Sequence, residues 1–242
     1  YTYKWDSVEN TLNLVDTKKD ESILPSRYSY YDVGRLGKIK DQGIYGTCWA
    51  FASLTAVETS LMPEEKYDFS EDNMVWNSGY FGAQYDGGDY TRAISYLASW
   101  RGPVLEEDDV YGDGINNSDA GVVKHVQEAQ IIESKNLEAI KKAVFLYGGV
   151  ESSLYTSMSY AGERSMYYND KNYSYCYIGT KKPNHDVVII GWDDNYSKDN
   201  FSVSLEGNGA FICVNSWGDS FGDDGLFCLL YTSDAADDRI SV

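Results

Sequence analysis

The sequence predicts an α+β protein whose first half is mainly helical and whose second half is rich in β-strands. In the first half, apolar residues recur with the spacing of a buried helix face, most clearly between Cys48 and Met62. From about residue 125 onward, the apolar pattern changes to the short runs typical of strands. A length of 242 residues suits one domain that is large enough for a proper core. We therefore expect two lobes, one helical and one β-rich, with a cleft between them.

The sequence predicts helices in four places and strands in four others. The first helix runs from Cys48 until Pro63 ends it, and its residues spaced for burial are Ala50, Phe51, Leu54, Val57 and Leu61. The other helices are predicted over 70–76, 90–100 and 137–147, with Ser70 as an N-cap. Strands are predicted over 125–132, 150–154, 186–192 and 210–215.

The composition restricts the setting in which the chain works. The formal net charge is -18, which argues against binding to nucleic acid or to an anionic membrane. There is no apolar run long enough to span a bilayer, so we expect no membrane insertion. Four cysteines in a chain of this length do not make a disulfide scaffold. Cys48 is expected to be a free thiol, whereas Cys176 and Cys213 could be free or paired.

One cysteine has the surroundings of a nucleophile. Cys48 follows a Gly-rich loop, in the run Asp-Gln-Gly-Ile-Tyr-Gly-Thr-Cys-Trp-Ala-Phe, and begins the long apolar helix. The positive end of a helix dipole lowers the pKa of a thiol and favours the thiolate. The side-chain amide of Gln42 can donate a hydrogen bond to an oxyanion that forms beside the sulfur. Acyl transfer by a thiol needs both features.

The chain has only two histidines, and one of them has a matching context. His185 opens the apolar run His-Asp-Val-Val-Ile-Ile-Gly-Trp, and Asn215 ends a second apolar run, in Asn-Ser-Trp-Gly. An imidazole beside the thiol can take its proton and later give it to a leaving amine. An asparagine on the other ring nitrogen fixes the tautomer of the imidazole. His125 lacks this context and is expected to be a core residue.

At these residues the sequence resembles the papain family of cysteine peptidases. The chain order of Cys48, His185 and Asn215 and the local sequence around each match that family, and the resemblance covers most of the chain. It implies a papain-like two-lobe fold, with a helical N-terminal lobe and a β-barrel-like C-terminal lobe. It also implies hydrolysis of a protein or peptide substrate through an acyl-enzyme, without a cofactor.

The resemblance assigns further residues to the site. Gln42 would stabilise the oxyanion together with a backbone N–H. Trp217 would cover the Asn–His hydrogen bond and keep water from it. Gly87 and Gly88 stand where the family has a Gly-Gly pair that lets an extended substrate approach. Trp49 and Trp217 are grouped with these glycines as substrate-binding residues.

Two departures from the family pattern favour its bacterial branch. The eukaryotic enzymes carry Cys-Gly-Ser-Cys-Trp, whereas this chain has Gly-Thr-Cys-Trp and lacks the first cysteine and its disulfide. The interval between His185 and Asn215 is longer than in papain and contains the polar stretch 193–200. We expect a bacterial enzyme that is secreted or attached to the cell surface and acts as a monomer.

Alternative functions remain open at this point. An exopeptidase would need a loop or a charge that closes one end of the cleft, and a transpeptidase would resolve the acyl-enzyme with an amine. A non-catalytic papain-like binding module would normally lack a triad member, and none is lost here. A transglutaminase-like enzyme usually pairs Cys and His with Asp, and the Asn-Ser-Trp-Gly context speaks against it.

The polar stretch 193–200 has a metal-binding alternative. Oxygen-bearing residues alternate at Asp193, Asn195, Ser197 and Asp199, and such a set can wrap a calcium ion. The spacing does not match an EF-hand loop, and the same residues are typical of a solvated hairpin. We therefore assign no metal site.

Both ends of the chain are expected to lie outside the catalytic domain. Residues 1–24 are polar and mixed, and they are predicted to be a connector or the remnant of a propeptide. Residues 228–242 resemble a translated sequencing adapter and are predicted to be a non-native tail. The catalytic domain would then span 25–227.

Overall fold

The computed structural model describes residues 24–80 and 84–231, and the backbone of residues 238–241. Its α-helices, in chain order, are α1 Tyr30–Val33, α2 Cys48–Leu61, α3 Glu71–Asn77, α4 Tyr90–Ala98 and α5 Leu137–Leu146. Its strands are β1 Arg27–Ser29, β2 Gln130–Glu133, β3 Val150–Leu154, β4 Tyr168–Asn169, β5 Ser174–Tyr175, β6 His185–Asp193, β7 Ala210–Val214, β8 Leu226–Leu230 and β9 Asp238–Ser241. A short 3₁₀ helix spans Lys198–Asn200.

All four predicted helices are present, with small differences at their ends. The predicted cap of α3 is also confirmed, because Ser70 Oγ accepts a hydrogen bond from the backbone N–H of Asn73 at 3.0 Å. The predicted strand over 125–132 is wrong at its start. Residues 125–129 have no regular structure, and only β2 forms at the end of that segment.

The strands form one sheet, in which most neighbours are antiparallel. Its order is β2-β9-β3-β6-β7-β8-β5-β4, and β1 pairs with the end of β6. Within the described residues the two end strands, β2 and β4, do not pair with each other, so the sheet is open; the barrel-like form of the C-terminal lobe stays a prediction. The long central strand β6 is the element to which the functional residues are attached.

The approach of β1 to β6 depends on one glycine. The register of β6 against β7 shifts between Ile189 and Gly191, and Gly191 pairs with Ser29 of β1. A Cβ atom on Gly191 would lie 2.2 Å from the carbonyl oxygen of Tyr28. Only glycine therefore permits β1 to lie this close to the central strand.

Helix α2 lies between two hydrophobic cores. One face contributes Ala52 and Ala56 to the core of the sheet and α5. Another face contributes Trp49, Leu54 and Val57 to the core of α2, α3 and α4. Because one helix serves both cores, its first residue is held at the junction of the helical and β-rich parts. No helix in the described part of the chain is long and apolar enough to cross a membrane.

The predicted tail begins inside a strand. Strand β8 runs through residue 228, and Leu229 on this strand is fully buried. The backbone of β9 pairs with both β2 and β3. Residues 1–23 and 232–237, which hold most of the predicted connector and part of the tail, lie outside the described residues. The nature of the tail stays a prediction.

A buried lysine ties the loop before α2 to the helical part. The ammonium of Lys40 lies 2.7 Å from Glu58 of α2, 2.8 Å from Glu71 of α3 and 2.9 Å from Asp68. It also donates to the carbonyl oxygen of Phe69 at 3.2 Å. Although burial alone would lower the pKa of Lys40, these carboxylates raise it above its usual value and keep the ammonium charged.

Replacing this lysine should destabilise the fold strongly. The substitution Lys40→Met keeps the apolar stem but leaves the carboxylates of Glu58 and Glu71 buried without a cation. We expect a loss of about 3–5 kcal/mol in the free energy of unfolding, measured by urea denaturation.

The matched control is Lys142→Met, which removes an exposed ion pair with Glu138 on α5. The side chains of this pair are 53 % and 73 % exposed. We expect this variant to lose less than about 0.5 kcal/mol. Equal losses in the two variants would show that the Lys40 network does not stabilise the fold.

Candidate active site

The thiol of Cys48 lies where the start of α2 meets the start of β6. Cys48 is the first residue of α2 and is 8 % exposed. The backbone N–H groups of Asp186 and Trp49 lie close enough to the sulfur to favour its ionised form and lower the pKa of the thiol. Asp186 follows His185 directly, so the chain segments that hold the predicted nucleophile and the predicted base meet although they are far apart in the sequence.

The surroundings of Cys48 correct the expectation of a lowered thiol pKa. Burial raises the pKa of Cys48 to about 12, and the carboxyl groups of Asp186 and Glu151 act in the same direction. The two backbone N–H groups oppose this shift without overcoming it. In the resting site the sulfur therefore carries its proton, because desolvation and the nearby acids outweigh the helix dipole.

His185 and Asn215 form a hydrogen bond whose direction can be assigned. His185 Nε2 lies 2.8 Å from Asn215 Oδ1, and the backbone N–H of Ser216 donates to the same Oδ1 atom at 2.9 Å. Because a backbone N–H can only donate, the shared atom must be the amide oxygen. Nε2 of the neutral ring therefore carries the proton, and Nδ1 keeps its lone pair.

Burial also decides the charge of the imidazole. Desolvation lowers the pKa of His185 to about 4, and the hydrogen bond to Asn215 opposes that shift. The ring is therefore neutral near neutral pH and can accept a proton at Nδ1. Cys48 and His185 rest as a neutral pair in a site from which water is largely excluded.

Trp217 covers the imidazole. Its ring centroid lies 4.8 Å from that of His185, with the planes tilted by 31°. Behind it, Phe221 packs edge-on at 5.0 Å. Trp217 is buried, and its Nε1 has no hydrogen-bond partner among the described residues. The arrangement places an apolar cover over the Asn–His pair.

The amide of Gln42 is fixed by the turn that follows Asn215. Gln42 Oε1 accepts from Ser216 Oγ at 2.7 Å, and Gln42 Nε2 donates to the carbonyl oxygen of Tyr45, also at 2.7 Å. The backbone N–H of Gln42 donates to the carbonyl oxygen of Ser216 at 2.8 Å. The contact with Tyr45 uses one of the two N–H bonds of the amide, which leaves the second for a ligand.

The predicted glycine pair lies directly on Trp49. A Cβ atom on Gly88 would lie 2.4 Å from Trp49 Nε1, so only glycine fits at this position. Gly87 has a φ of 70°, a backbone conformation that favours glycine. Trp49 is only 1 % exposed. Its predicted role is therefore corrected, because a buried ring supports the glycine pair and offers no surface to a substrate.

The other candidate residues lie away from this site. His125 is exposed and stacks on Trp100 with a centroid distance of 4.6 Å, so the expectation that it belongs to the core is wrong. Cys176 and Cys213 are buried, and none of the described cysteines forms a disulfide. In the polar stretch, Asp193 accepts from the N–H of Asn195 at 2.8 Å, as in a turn. Among the described residues no cluster of three acids, histidines or cysteines could hold a metal ion.

Sequence reasoning missed two buried acids beside Cys48. Glu151 on β3 is 2 % exposed and Asp186 on β6 is 5 % exposed. Glu151 Oε2 accepts a hydrogen bond from Ser53 of α2 at 2.5 Å. The sequence could have indicated them, because each acid lies within a run predicted to be a buried strand. A charged residue in a buried strand is unusual unless its charge is paired or functional.

The sequence profile described as Papain family cysteine protease matches residues 24–238 of this chain. Cathepsin K of Gallus gallus is 27 % identical over 223 residues, which cover 86 % of this chain and 59 % of that protein. The bromelain protease from Ananas comosus, at 20 % identity and a TM-score of 0.67, shares the fold over 89 % of this chain and 97 % of its own.

Two of the solved structures that are similar to this chain are structures of Cwp84. One of them describes Cwp84 as a surface layer associated protein of Clostridium difficile. The structure of Cwp84 after propeptide cleavage is 32 % identical, with a TM-score of 0.79, and the match covers 90 % of this chain and 57 % of that one. The structure of its protease and lectin-like domains is 29 % identical, also with a TM-score of 0.79, and covers 100 % and 60 %.

The match thus spans little more than half the length of the two solved Cwp84 chains and of cathepsin K. The family profile, in contrast, matches nearly all of the described residues, and the resemblance first seen at the cysteine, histidine and asparagine motifs extends over the whole fold. The chain belongs to the papain family of cysteine proteases.

Proposed function

We propose that the chain is an endopeptidase that cleaves protein substrates through Cys48, His185 and Asn215. The observation that carries this proposal is the 2.8 Å hydrogen bond between His185 Nε2 and Asn215 Oδ1, which holds the imidazole directly before Asp186, whose backbone N–H lies beside the Cys48 thiol. This arrangement leaves Nδ1 of His185 as the ring nitrogen available to the thiol proton. No cofactor is needed for such a reaction.

In the first half of the reaction, His185 Nδ1 takes the thiol proton as Cys48 Sγ attacks the carbonyl carbon of the peptide bond. The carbonyl oxygen becomes an oxyanion, which accepts hydrogen bonds from the second N–H of Gln42 and from the backbone N–H of Cys48. The intermediate then collapses to a thioester. The C–N bond breaks, and the leaving amine takes the proton from His185.

In the second half, a water molecule attacks the thioester carbonyl and gives a proton to His185 Nδ1. The C–S bond of the resulting intermediate breaks, the acid product leaves, and the sulfur of Cys48 recovers its proton from His185. Asn215 accepts from Nε2–H in both halves, so the ring keeps one orientation while Nδ1 gains and loses a proton.

The likeness to Cwp84 supports a setting for this activity. Cwp84 is described as associated with a surface layer, and its two structures are among the solved structures similar to this chain. We assign this chain to a bacterium and to the outside of the cell, either secreted or attached to the surface. Its substrates would be proteins of that compartment, and it would act as a monomer.

A thiol-reactive epoxide directed at cysteine peptidases should label Cys48 in the reduced protein. We expect label at Cys48, mapped by mass spectrometry, because the proton of this buried thiol can pass to His185 Nδ1. The variants Cys48→Ala and His185→Ala should lose the label, and His125→Ala should keep it because His125 lies outside the site.

Labelling that is equally fast in His185→Ala would show that the thiol reacts without the imidazole and would contradict the proposed base. A folded protein that takes no label at Cys48 would contradict the peptidase mechanism and favour a binding module. Circular dichroism of each variant distinguishes this result from a failure to fold.

Removing the Gln42 amide should slow hydrolysis more than it weakens substrate binding. Loss of one oxyanion donor costs about 100- to 1,000-fold in kcat. We expect Gln42→Ala to show this loss with fluorogenic peptides while KM changes little, because the donor acts on the oxyanion and not on the bound substrate. Gln127→Ala, at an exposed position on a distant segment, is the control. A rise in KM at unchanged kcat in Gln42→Ala would instead assign the amide to substrate binding.

A further inference from the structure

The proposed mechanism leaves Glu151 and Asp186 unused, although both lie beside the nucleophile. Ser153 stands opposite Asp186 in the pairing of β3 with β6, and Glu151 stands opposite Val188. Residues two apart on a strand share a face, so both acids lie on one face of the sheet. That face meets α2, since Ser53 of α2 donates to Glu151 at 2.5 Å.

A third acid approaches from the helical part. Asp89 directly follows the Gly87–Gly88 pair and is the exposed N-cap of α4, where its Oδ1 accepts from the N–H of Thr91 at 2.9 Å. Asp89 lies close enough to Glu151 and to Asp186 to raise the pKa of each. The three carboxyl groups therefore span the junction between the glycine pair and β6, next to Cys48.

Within the described residues, the two buried acids lack a cationic partner. None of the ion pairs between described residues includes Glu151 or Asp186. Glu151 Oε1 is buried and has no hydrogen-bond partner in the described part of the chain, while the Ser153 hydroxyl opposes the larger effect of burial on the pKa of Asp186. A buried carboxylate oxygen without a donor is costly unless a ligand supplies one.

We propose that Glu151 and Asp186, with Asp89 at the entrance, form a pocket beside Cys48 that binds the cationic side chain of an arginine or lysine in the substrate. This inference rests on the proposed function and names a specificity for the same site. A substrate backbone that lies along Gly87 and Gly88 would place one of its side chains between the glycine pair and β6. A guanidinium or ammonium there donates to Glu151 Oε1 and neutralises the acids.

The charge balance of the pocket supports a cation over an apolar side chain. Without a ligand, burial first and the neighbouring acids next raise the pKa of Glu151 well above its usual range and that of Asp186 to about 6. In the absence of a ligand, the ionisation of one acid therefore makes the ionisation of the others less favourable. A bound cation removes this repulsion, and the net charge of -18 favours the approach of basic substrates.

The test compares peptides that differ only in charge. Two pools of fluorogenic peptides have the same sequences except at one position before the cleaved bond, and that position is varied from peptide to peptide. One pool carries arginine there, and the other carries citrulline, its neutral isostere. Because a hydrogen bond to a buried charged group is stronger than one between neutral groups, we expect kcat/KM to be about tenfold to a hundredfold higher for the arginine pool than for the citrulline pool. The selectivity is then measured again in Glu151→Gln, Asp186→Asn and Asp89→Asn.

We expect Glu151→Gln and Asp186→Asn to lose most of the preference for arginine, and Asp89→Asn to lose a smaller part of it. Asparagine is also a good N-cap, so Asp89→Asn should preserve α4, and this exposed substitution covers the case in which a buried variant fails to fold. Glu138→Gln, an exposed acid on α5, is the control and should keep the full preference.

A wild-type enzyme that cleaves both pools equally overturns the acidic pocket and leaves the proposed peptidase intact. If neither pool is cleaved, fluorescence anisotropy of the same peptides with Cys48→Ser measures binding without chemistry. Arginine-selective binding that Glu151→Gln abolishes would then support the pocket although the proposed function fails. Equal binding of the two pools would overturn the pocket as well.

Discussion

The hydrogen bond from His185 Nε2–H to Asn215 Oδ1 is the interaction on which the site depends. Its direction is imposed by the backbone N–H of Ser216, which binds the same oxygen and excludes the flipped amide. The Ser216 hydroxyl also holds Gln42 Oε1. A single turn after β7 therefore orients both the imidazole and the amide of Gln42, and Trp217, the next residue, covers the imidazole. Loss of this turn would disturb every functional group except the thiol.

Burial sets the resting charges of the site. The helix dipole and two backbone N–H groups favour a thiolate at Cys48, but desolvation and the acids of Asp186 and Glu151 outweigh them. Desolvation likewise keeps His185 neutral. In the proposed mechanism the proton therefore moves from sulfur to nitrogen when the substrate is bound, and a cation in the proposed acidic pocket would ease that transfer by cancelling the charge of the acids. Specificity and reactivity are then linked through the same two carboxylates.

Much of this arrangement could be predicted from the sequence because it depends on strong local patterns. The apolar run after Cys48 predicted α2, and the runs around His185 and Asn215 predicted β6 and β7. Short elements such as α1 and β1 have too few residues to show a period, and their positions depend on contacts with β6. The acidic pocket depends on the register of β3 against β6, which sets Glu151 and Asp186 on one face and which no local pattern specifies. The thiol pKa was predicted in the wrong direction because the dipole is visible in the sequence and burial is not.

The most direct test of this account is ¹⁵N NMR of the His185 imidazole in protein that contains ¹⁵N-labelled histidine. The chain has two histidines, so the variant His125→Gln leaves His185 as the single signal. We expect a neutral ring with its proton on Nε2 near neutral pH, and a titration midpoint near a pKa of about 4. A proton on Nδ1, or a midpoint at the ordinary value of 6.5, would contradict the assigned hydrogen bond and the burial that the mechanism requires.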